Sequence, residues 1–545
     1  MSNKTLRIIP LGGLGEVGKN MTVYEYNQQI LIVDAGLMFP DNDMIGIDYI
    51  IPDFEYVKER ASKVKGIIIT HGHEDHTGAI GHLLEYVNAP VYATPLTNGL
   101  IKNKLNRRGM AVEPKLVDIQ AGESVQIGPF KVDFFHVCHS VPDGVGIGID
   151  TPAGLVVHTG DYKLDHTPID GRPTDYGKLA EFARKGVLAL LADSTNAERP
   201  GWTASERVIN DAFEKVFYQA KGRIILATFA SLISRMQQVL ETAKKHDRKV
   251  SFVGLSMTEN VRIARELGYL SYDEDQVVST EQALSMPDDQ VVLMVTGSQG
   301  EPTSILGRLA NGTNNRFSVK EGDTIVLSSH PIPGNEESVY RAINRLMEKG
   351  AEVVYEAIMP VHVSGHASQE EIKLLLHLVK PRYLIPIHGE LRMLKQHKRL
   401  ALEVGMDERQ IALVENGRVI EFTHGEMTLK ERIPGGYVFV DGIGVGDVDR
   451  STMRDRTLLS QDGVVLLNIE LDKNNGVFKD LEIISRGFIA QDEAQELFAE
   501  LRKRVVKLTQ YPANNLQKEI QSVATSFINE ETKRRPVIFV TISKA

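Results

Sequence analysis

His71-Gly-His73-Glu-Asp75-His76 follows directly on the apolar run Gly66-Ile-Ile-Ile-Thr70. The apolar run predicts a buried strand, so four side chains that can bind a metal lie at the end of one strand. Imidazole nitrogens and carboxylate oxygens are ligands that zinc and similar divalent cations take. Two metals close together can share such a cluster and stabilise both the attacking and the leaving oxygen of a phosphate. The motif therefore predicts a metal site, and the alternative is a polar loop that happens to be rich in histidine.

Other apolar runs also end on polar residues that can bind a metal. Each of four further runs ends on a residue that can bind a metal, namely Asp34, His139, Asp161 and His388. The carboxyl ends of strands are where an open sheet presents its chemistry. Any one of these residues alone would more often cap a strand than bind a metal. Their order along the chain, together with residues 71–76, favours a single metal centre.

Composition sets the broad class of the protein. The chain has 545 residues, of which 42% are hydrophobic and 25% charged, so we expect a globular protein of two or three domains. Its start lacks the apolar core of a secretory signal, and no apolar stretch approaches membrane-spanning length. The single cysteine, Cys138, excludes an internal disulfide and fits a reducing cytoplasm. We expect Cys138 to be a small buried residue that points away from His139, and not a ligand.

The net charge and one glycine motif bear on two kinds of binding, that of nucleic acid and that of a dinucleotide. The net charge of −10 argues mildly against non-specific binding of nucleic acid, which usually needs a basic face. Gly13-Leu-Gly15-Glu-Val-Gly18 matches the dinucleotide-binding fingerprint, which requires a helix to begin at the glycines. Met21–Tyr26 follows instead and alternates like a strand. A glycine loop between two strands at the rim of the site is therefore the preferred interpretation.

More than two hundred residues separate Asp161 from His388, and they alternate between strand and helix. Strands are predicted near 223–228, 249–253, 290–295 and 324–328, and helices near 234–245, 258–267 and 336–349. This rhythm predicts a second, parallel sheet covered by helices. Beyond the glycine-rich segment 434–449, which is typical of a linker, we predict a small α/β unit. Its strands lie near 463–468 and 536–541 and its helices near 492–507 and 516–533.

The order of an aspartate, HxHxDH, a histidine, an aspartate and a last histidine resembles the metallo-β-lactamase fold over residues 1 to about 430. The resemblance implies that His71, His73 and His139 hold one metal. It implies that a second metal is held by Asp75, His76 and His388, and that Asp161 bridges the two. In that fold, Asp34 orients the site and does not bind a metal.

Three further motifs resemble those of the β-CASP branch, which acts on nucleic acids: Asp193-Ser-Thr-Asn-Ala197, His362-Val-Ser-Gly-His-Ala-Ser368 and Pro386-Ile-His-Gly-Glu390. The whole layout is similar to the bacterial ribonuclease J family. It implies an α/β protein with a metallo-β-lactamase αββα sandwich, an inserted β-CASP α/β domain and a small C-terminal α/β domain. The corresponding limits are 1–205 and 366–433 for the sandwich, 206–365 for the insert, 434–455 for a linker and 456–545 for the last domain.

The resemblance also implies a function. It indicates a metal-dependent ribonuclease with endonuclease and 5′-to-3′ exonuclease activity on single-stranded RNA, favouring 5′-monophosphate ends. The setting would be mRNA decay and rRNA maturation in the bacterial cytoplasm, by a homodimer or homotetramer, with RNA-degradation partners such as a helicase. Two divalent ions per subunit are implied; Zn²⁺ is favoured and Mn²⁺ is the alternative, because both suit these ligands.

Roles for individual residues follow from this resemblance. Asp75 would orient the attacking water or take its proton, and His366, held by Asp193, would protonate the leaving 3′-oxygen. The 5′-phosphate pocket would be lined by Ser231, Leu232, Ile233, His362, Val363, Ser364, Gly365, His366, Ala367 and Ser368. The family often has an amide and an imidazole where this chain has Leu232 and Ser234. Side-chain contacts to the 5′-end would then be weaker, whereas backbone donors at the start of the next helix would persist.

Three alternatives remain at this point. A different metallo-β-lactamase enzyme could hydrolyse a thioester or a lactam, although small substrates need no second domain. A catalytically inactive RNA-binding scaffold is a second alternative, and the intact set of seven ligands argues against it. Cleavage of DNA is a third.

Overall fold

The computed structural model describes residues 5–41, 43–108, 114–332, 334–473, 477–490, 493–510 and 515–544. They form two compact units, one within Met1–Phe39 and Tyr49–Val438 and the other within Pro40–Asp48 and Phe439–Ala545. Among the described residues, no helix is both long enough and apolar enough to cross a membrane.

The described strands, in chain order, are β1 (Thr5–Gly12), β2 (Leu14–Gly15), β3 (Met21–Tyr26), β4 (Gln29–Val33), β5 (Tyr49–Pro52), β6 (Val64–Ile68), β7 (Val91–Ala93), β8 (Leu116–Asp118), β9 (Ser124–Ile127), β10 (Phe130–His136), β11 (Val145–Thr151), β12 (Gly154–His158), β13 (Val187–Asp193), β14 (Ile224–Ala227), β15 (Lys249–Val253), β16 (Val291–Val295), β17 (Thr324–Leu327), β18 (Glu352–Val354), β19 (Tyr383–Ile387), β20 (Gly389–Glu390), β21 (Arg418–Thr423), β22 (Glu426–Arg432), β23 (Tyr437–Asp441), β24 (Gly444–Val445), β25 (Val464–Leu471), β26 (Phe478–Arg486) and β27 (Val537–Lys544).

The described α-helices are α1 (Glu55–Lys58), α2 (Glu74–Thr77), α3 (Ile80–Leu84), α4 (Pro95–Arg108), α5 (Tyr176–Lys185), α6 (Val208–Gln219), α7 (Ile233–Lys245), α8 (Leu255–Glu266), α9 (Thr280–Ser285), α10 (Ile305–Asn311), α11 (Glu336–Glu348), α12 (Gln369–Val379), α13 (Leu391–Glu403), α14 (Arg450–Asp462), α15 (Ala494–Thr509) and α16 (Leu516–Thr532).

Two sheets pack face to face in the first unit. Their strand orders are β22-β21-β1-β3-β4-β6-β7-β8 and β19-β13-β12-β11-β10-β9. Alternate residues of each strand point inward, so Ile8 and Val33 of one sheet share a buried core with Val132 and Leu191 of the other. Full burial of one such side chain contributes about 1.5–3 kcal/mol. The predicted sandwich is therefore present.

Helices cover the outer face of the second sheet. Leu179 of α5, Leu375 of α12 and Leu400 of α13 share a second core with Val157 of β12. Asp175 caps α5 by accepting a 2.9 Å hydrogen bond from the Lys178 amide. This layer makes the second sheet apolar on both sides, so its central strands read as continuous hydrophobic runs.

The inserted segment forms a separate parallel sheet in the order β15-β16-β14-β17-β18. Ile224 and Leu226 face α6, α7 and α8, whereas Ile225 and Ala227 face α9, α10 and α11. The strands and helices predicted for this segment are confirmed, with ends that differ by three residues or fewer. Because both faces are covered, the strands needed to be apolar throughout, and that made them recognisable in the sequence.

The second unit contains a sheet in the order β26-β25-β27, with α15 and α16 packed on one face. The predicted strands and helices are present; residue 492, the predicted start of α15, lies outside the described residues.

The interpretation of 434–455 as a linker was wrong, because this segment holds the hairpin of β23 and β24 and the start of α14. Glycines suggested a linker, but Gly442 has a φ of +58° and instead permits the tight turn of the hairpin. The other domain limits stay predictions.

Candidate metal centre

Five strands bring the predicted ligands to one edge of the sandwich. His71 follows β6, His139 follows β10, Asp161 follows β12 and His388 follows β19, while Asp34 follows β4. Strand β4 runs parallel to β6 in the first sheet, and β12, β13 and β19 run parallel in the second. Parallel strands present their carboxyl ends at a common edge, so residues more than three hundred positions apart meet there.

A first donor set consists of His71, His73, His139 and Asp161. Nδ1 of His73 lies 3.1 Å from Nε2 of His71 and 3.1 Å from Nε2 of His139. Asp161 Oδ2 lies 3.6 Å and 3.7 Å from the same two Nε2 atoms. One ligand atom from each residue lies within 4.8 Å of every other, which is the spacing that one metal ion requires.

A second donor set consists of Asp75, His76, His388 and, again, Asp161. Asp75 Oδ2 lies 3.1 Å from Nε2 of His388 and 3.6 Å from Nε2 of His76. Asp161 Oδ1 lies 3.3 Å from Nε2 of His76. The two oxygens of Asp161 therefore face different donor sets. All seven predicted ligands are brought together, with the grouping that the sequence resemblance implied.

The electrostatics of the two sets suit divalent cations. Burial lowers the pKa of His73 to about 4 and of His139 to about 3, so both imidazoles are neutral near pH 7 and can act as ligands. For His76 and His388, burial acts in the same direction, but Asp161 and the other neighbouring carboxylates together outweigh it and raise the pKa of each well above its usual value. Asp161 Oδ1 is buried without a hydrogen-bond partner among the described residues. A cation would satisfy this oxygen and replace the protons on the second pair of histidines.

Asp34 orients the ring of His76 through the nitrogen that does not face the second donor set. Its Oδ2 lies 2.8 Å from Nδ1 of His76, which leaves Nε2 for the second donor set. The Thr70 amide and hydroxyl donate to the same carboxylate at 2.8–3.1 Å. Asp34 belongs to neither donor set, as the sequence resemblance implied.

Two other ligands are oriented by partners that the sequence analysis missed. Nδ1 of His139 lies 2.8 Å from the carbonyl oxygen of Gly365, and Nδ1 of His388 lies 2.6 Å from Oγ1 of Thr195. Each contact turns Nε2 toward the metal site. The position of Thr195 inside the Asp193–Ala197 motif was a signal for the second contact, whereas a backbone carbonyl leaves no signal in the sequence.

The glycine loop lies beside the second donor set. Gly13 O accepts a 3.2 Å hydrogen bond from the amide of Gly389, next to His388, and β2 pairs with β20. The Asn20 side-chain amide donates to Asp75 O at 3.2 Å and lies 3.2 Å from Nε2 of His76. Strand β3 follows the glycines, so the loop supports the metal site and does not open a dinucleotide-binding helix. Asn20 was missed, although it ends the same glycine-rich stretch.

His366 and Asp193 are adjacent, as the resemblance implied. Asp193 Oδ2 lies 2.7 Å from Nδ1 of His366, and Oδ1 lies 3.3 Å from Nδ1 of His388. Burial would lower the pKa of His366, but the Asp193 carboxylate outweighs it and raises the pKa. The side chain of His366 is 19% exposed, whereas that of Asp193 is buried. The contact with Asp193 thus favours the protonated form of an imidazole at the open side of the metal centre.

Family models match four stretches of the chain. They are the metallo-beta-lactamase superfamily over residues 14–197, the ribonuclease J beta-CASP domain over 221–346, the Zn-dependent metallo-hydrolase RNA specificity domain over 350–410 and the ribonuclease J C-terminal domain over 451–545. Ribonuclease J2 of Bacillus subtilis is 41% identical, with 99% of each chain covered. Ribonuclease J of Thermus thermophilus is 40% identical, with 98% of this chain and 95% of that one covered.

The chain belongs to the ribonuclease J family. Ribonuclease J of Synechocystis is a further relative, 40% identical over 99% of this chain and 87% of its own. A crystal structure of a protein of unknown function from Enterococcus faecalis shares the fold, with a TM-score of 0.54, 16% identity, and coverage of 76% of this chain and all of that one. The predicted family, fold class and enzyme class, a metal-dependent nuclease, are confirmed.

The segment predicted to contact the RNA 5′-end adopts a closed turn at the start of α7. The amide of Leu232 donates to Phe229 O at 3.1 Å, and that of Ile233 donates to Ser231 O at 2.9 Å. The expectation that these two amides are available to an anion was therefore wrong, because the turn uses them itself. Leu232 is buried, and Ser231 is half-buried.

The 362–368 loop divides into residues near the two donor sets and residues that anchor the loop. The carbonyl of Gly365 and the ring of His366 reach the metal centre, and Ser364 Oγ accepts a 2.8 Å hydrogen bond from Asn196. Ser368 is buried; its hydroxyl lies 2.8 Å from Oγ1 of Thr203, and its amide donates to Glu371 at the start of α12. Its predicted contact with substrate stays a prediction. Val363 and Ala367 are also buried, and His362 is partly buried.

Cys138 is buried, with its sulfur 3.3 Å from the carbonyl oxygen of Arg172, and burial raises the pKa of its thiol to about 11. It belongs to neither donor set, as expected.

Proposed function

We propose that this chain binds two divalent cations, Zn²⁺ in preference to Mn²⁺, and hydrolyses single-stranded RNA as both an endonuclease and a 5′-to-3′ exonuclease. The observation that carries the proposal is the shared carboxylate of Asp161, with one oxygen toward each donor set. Cations bound there would supply positive charge to an anionic phosphodiester and lower the pKa of water. The names of the relatives as ribonucleases support RNA as the substrate. We assign the activity to mRNA decay and rRNA maturation in the cytoplasm.

Asp75 is the residue placed to handle the attacking water. Its side chain is 29% exposed, whereas the other carboxylate of the second set, Asp161, is buried. Burial would raise the pKa of Asp75, but His76 and His388 together outweigh it and hold the pKa well below its usual value, so the carboxyl is ionised near pH 7. An ionised, partly exposed carboxylate can orient water in line with phosphorus and accept its proton.

His366 is the residue placed to protonate the leaving 3′-oxygen. The contact with Asp193 fixes the proton on Nδ1 and favours the imidazolium, so Nε2 also carries a proton. A neighbouring carboxylate performs this orienting role for many catalytic histidines. The stacking of His366 on His388, with ring centroids 5.4 Å apart, keeps the imidazole beside the second donor set.

For the exonuclease activity we propose a pocket for a 5′-terminal monophosphate, built from Ser231 and the stretch Ser364–His366. Gly365 has no side chain, so its backbone can lie directly against the ring of His139. The stretch Ser364–His366 lies against the metal centre, and it therefore defines a short distance from the 5′-end to the first scissile bond. A closed pocket of this kind would exclude a triphosphate by its size and charge.

Digestion of one 3′-labelled RNA with a 5′-triphosphate, a 5′-monophosphate or a 5′-hydroxyl tests this function. We expect the 3′-labelled monophosphate RNA to be shortened faster from its 5′-end, and internal cuts that do not depend on the end. A chromogenic lactam serves as the control substrate and should not react. Equal exonuclease rates on the monophosphate and triphosphate RNAs would contradict the pocket. Absence of RNA cleavage by the metal-loaded protein would contradict the whole assignment.

We also propose that the chain acts as a homodimer or homotetramer, to which RNA-degradation partners such as a helicase bind. Support comes from the open face of the C-terminal sheet. Leu466 pairs with Ile484 on one side and with Phe539 on the other, and these three side chains form an apolar row opposite the helices. Phe539 is 53% exposed and Ile484 is 37% exposed, so a second subunit would cover them.

A further inference from the structure

The inserted sheet has a point at which its connections diverge. The chain leaves β14 for β15 on one side of the sheet and leaves β17 for β18 on the other, although β14 and β17 are neighbours. In open parallel sheets, ligands bind at the carboxyl ends of the strands at such a point. The segment after β17, Ser328–His330, therefore lies at the edge of the sheet where a ligand is expected.

His330 is held at this edge by three contacts. Its carbonyl oxygen accepts a 2.9 Å hydrogen bond from Gln299, in the loop after β16. Its Nδ1 lies 2.6 Å from Glu356 Oε2, and its Nε2 lies 3.3 Å from Nη2 of Arg199. With the proton on Nδ1 bound to Glu356, Nε2 accepts from the guanidinium. Glu356 and His330 together fix the position of Arg199.

Arg199 comes from the segment that carries the active-site motif. Its amide donates to Asn196 O at 2.9 Å, and its carbonyl oxygen accepts from the amide of Gln369 at 3.0 Å. The Asn196 side chain also donates to His366 O at 2.9 Å. The turn that holds the backbone of His366 therefore also carries the guanidinium of Arg199, close to the active site but outside both donor sets.

Cationic groups surround His362 at this edge. Burial holds the pKa of His362 well below its usual value, and the guanidinium groups of Arg235 and Arg199 lower it further. Glu206 pairs with Arg235 and Glu356 pairs with His330, while Lys163 lies near Asp165. No carboxylate in the described part of the chain forms an ion pair with Arg199, so an anion is the expected partner of its guanidinium.

We infer that Arg199, held by His330 and Glu356, binds a backbone phosphodiester of the RNA strand outside the metal centre and the 5′-terminal pocket. This inference rests on the proposed ribonuclease function. The side chain of His330 is 50% exposed, so the subsite is open and suits an internal phosphate of a passing strand. Glu356 would repel a terminal phosphate of charge near −2 more strongly than a singly charged diester. Contacts of this kind position a nucleic acid without reading its sequence.

The test is Arg199→Ala in the full-length, metal-loaded protein. Two RNAs of one sequence are used, with a 5′-hydroxyl and a 5′-monophosphate. Stopped-flow fluorescence anisotropy, read before cleavage, gives the affinity at several salt concentrations, and steady-state cleavage gives kcat and KM. We expect affinity to fall about fivefold or more on both RNAs and kcat to stay within about twofold. The slope of log affinity against log salt should become shallower by about 0.7, the value for one lost contact to single-stranded nucleic acid.

Arg207→Ala is the matched control, because Arg207 is an exposed arginine of the same segment and its loss changes the charge equally. It should change neither affinity nor slope. Arg199→Lys keeps the charge and should retain most of the slope. Equal behaviour of Arg199→Ala and Arg207→Ala would overturn the inference, and so would a loss confined to the monophosphate RNA. If the wild-type protein binds RNA but does not cleave it, the proposed function fails, and the salt slope still decides the role of Arg199.

Discussion

The carboxylate of Asp193 accepts a 2.7 Å hydrogen bond from Nδ1 of His366, although 173 residues separate them in the chain. Asp193 ends strand β13 of the sandwich, and His366 lies in the loop that returns from the inserted domain. The contact therefore forms only when the insert has folded back onto the sandwich. It links the proposed proton donor to the same edge of the sheet that presents the metal ligands.

His366→Ala should slow the chemical step about a hundredfold or more, the usual scale for a lost general acid, and leave both metals bound. Single-turnover cleavage and metal analysis of the purified variant are the measurements. His166→Ala removes an exposed histidine away from the centre and should have no effect. A full single-turnover rate would exclude His366 from catalysis, and loss of a metal would place it among the ligands.

Asp75→Ala or His76→Ala should abolish RNA cleavage, because each removes a ligand of the second donor set. The ligands follow a strand that is already buried, so circular dichroism should show a folded protein. Glu74→Ala is the control, since Glu74 is exposed, lies between these ligands and His73 in sequence, and pairs with Lys104. Near-normal cleavage by a folded Asp75 or His76 variant would contradict the two-metal assignment.

Gly365→Ala should weaken metal binding about 10- to 100-fold, the scale for loss of a partner that orients a ligand. A Cβ at Gly365 would lie 2.6 Å from two ring atoms of His139, and would displace the carbonyl that orients this ligand. Titration with a chelator measures the effect. Gly436→Ala is the control, because a Cβ there meets no atom within 4 Å. Unchanged metal affinity in the Gly365 variant would show that the loop can shift at no cost.

Phe539→Asp should reduce the size of the assembly, because it places a charge in the apolar row of the C-terminal sheet. Light scattering measures the molar mass of the particle. Thr541→Asp adds the same charge on the same face of the strand, at the polar end beside Asn468, and should leave the assembly intact. Thermal unfolding checks that both variants are folded. An unchanged particle mass for Phe539→Asp would refute the role of this face in assembly.

The sequence predicted the metal ligands because each lies directly after a strand whose apolar run is unmistakable. His71, His139, Asp161 and His388 each follow a buried strand by one to three residues. The spacing of HxHxDH is local, so its geometry depends little on the rest of the chain. Predictions failed where a polar or glycine-rich stretch has a structural role that its composition does not indicate. The turn before α7 uses its own amides, and Gly442 closes a hairpin in a segment that had been interpreted as a linker.

The sequence by itself determined the family, the fold class and the identity of the ligands, because periodic burial and the order of chemical groups are properties of the chain. The tertiary structure alone decided how those ligands are oriented and charged. Gly365 presents a carbonyl to His139, Thr195 a hydroxyl to His388 and His330 a ring nitrogen to Arg199. Such contacts join residues more than a hundred positions apart, and one of them uses a backbone atom that every residue type possesses. Their formation depends on the packing of segments far apart in the chain, so the linear order of residues does not reveal them.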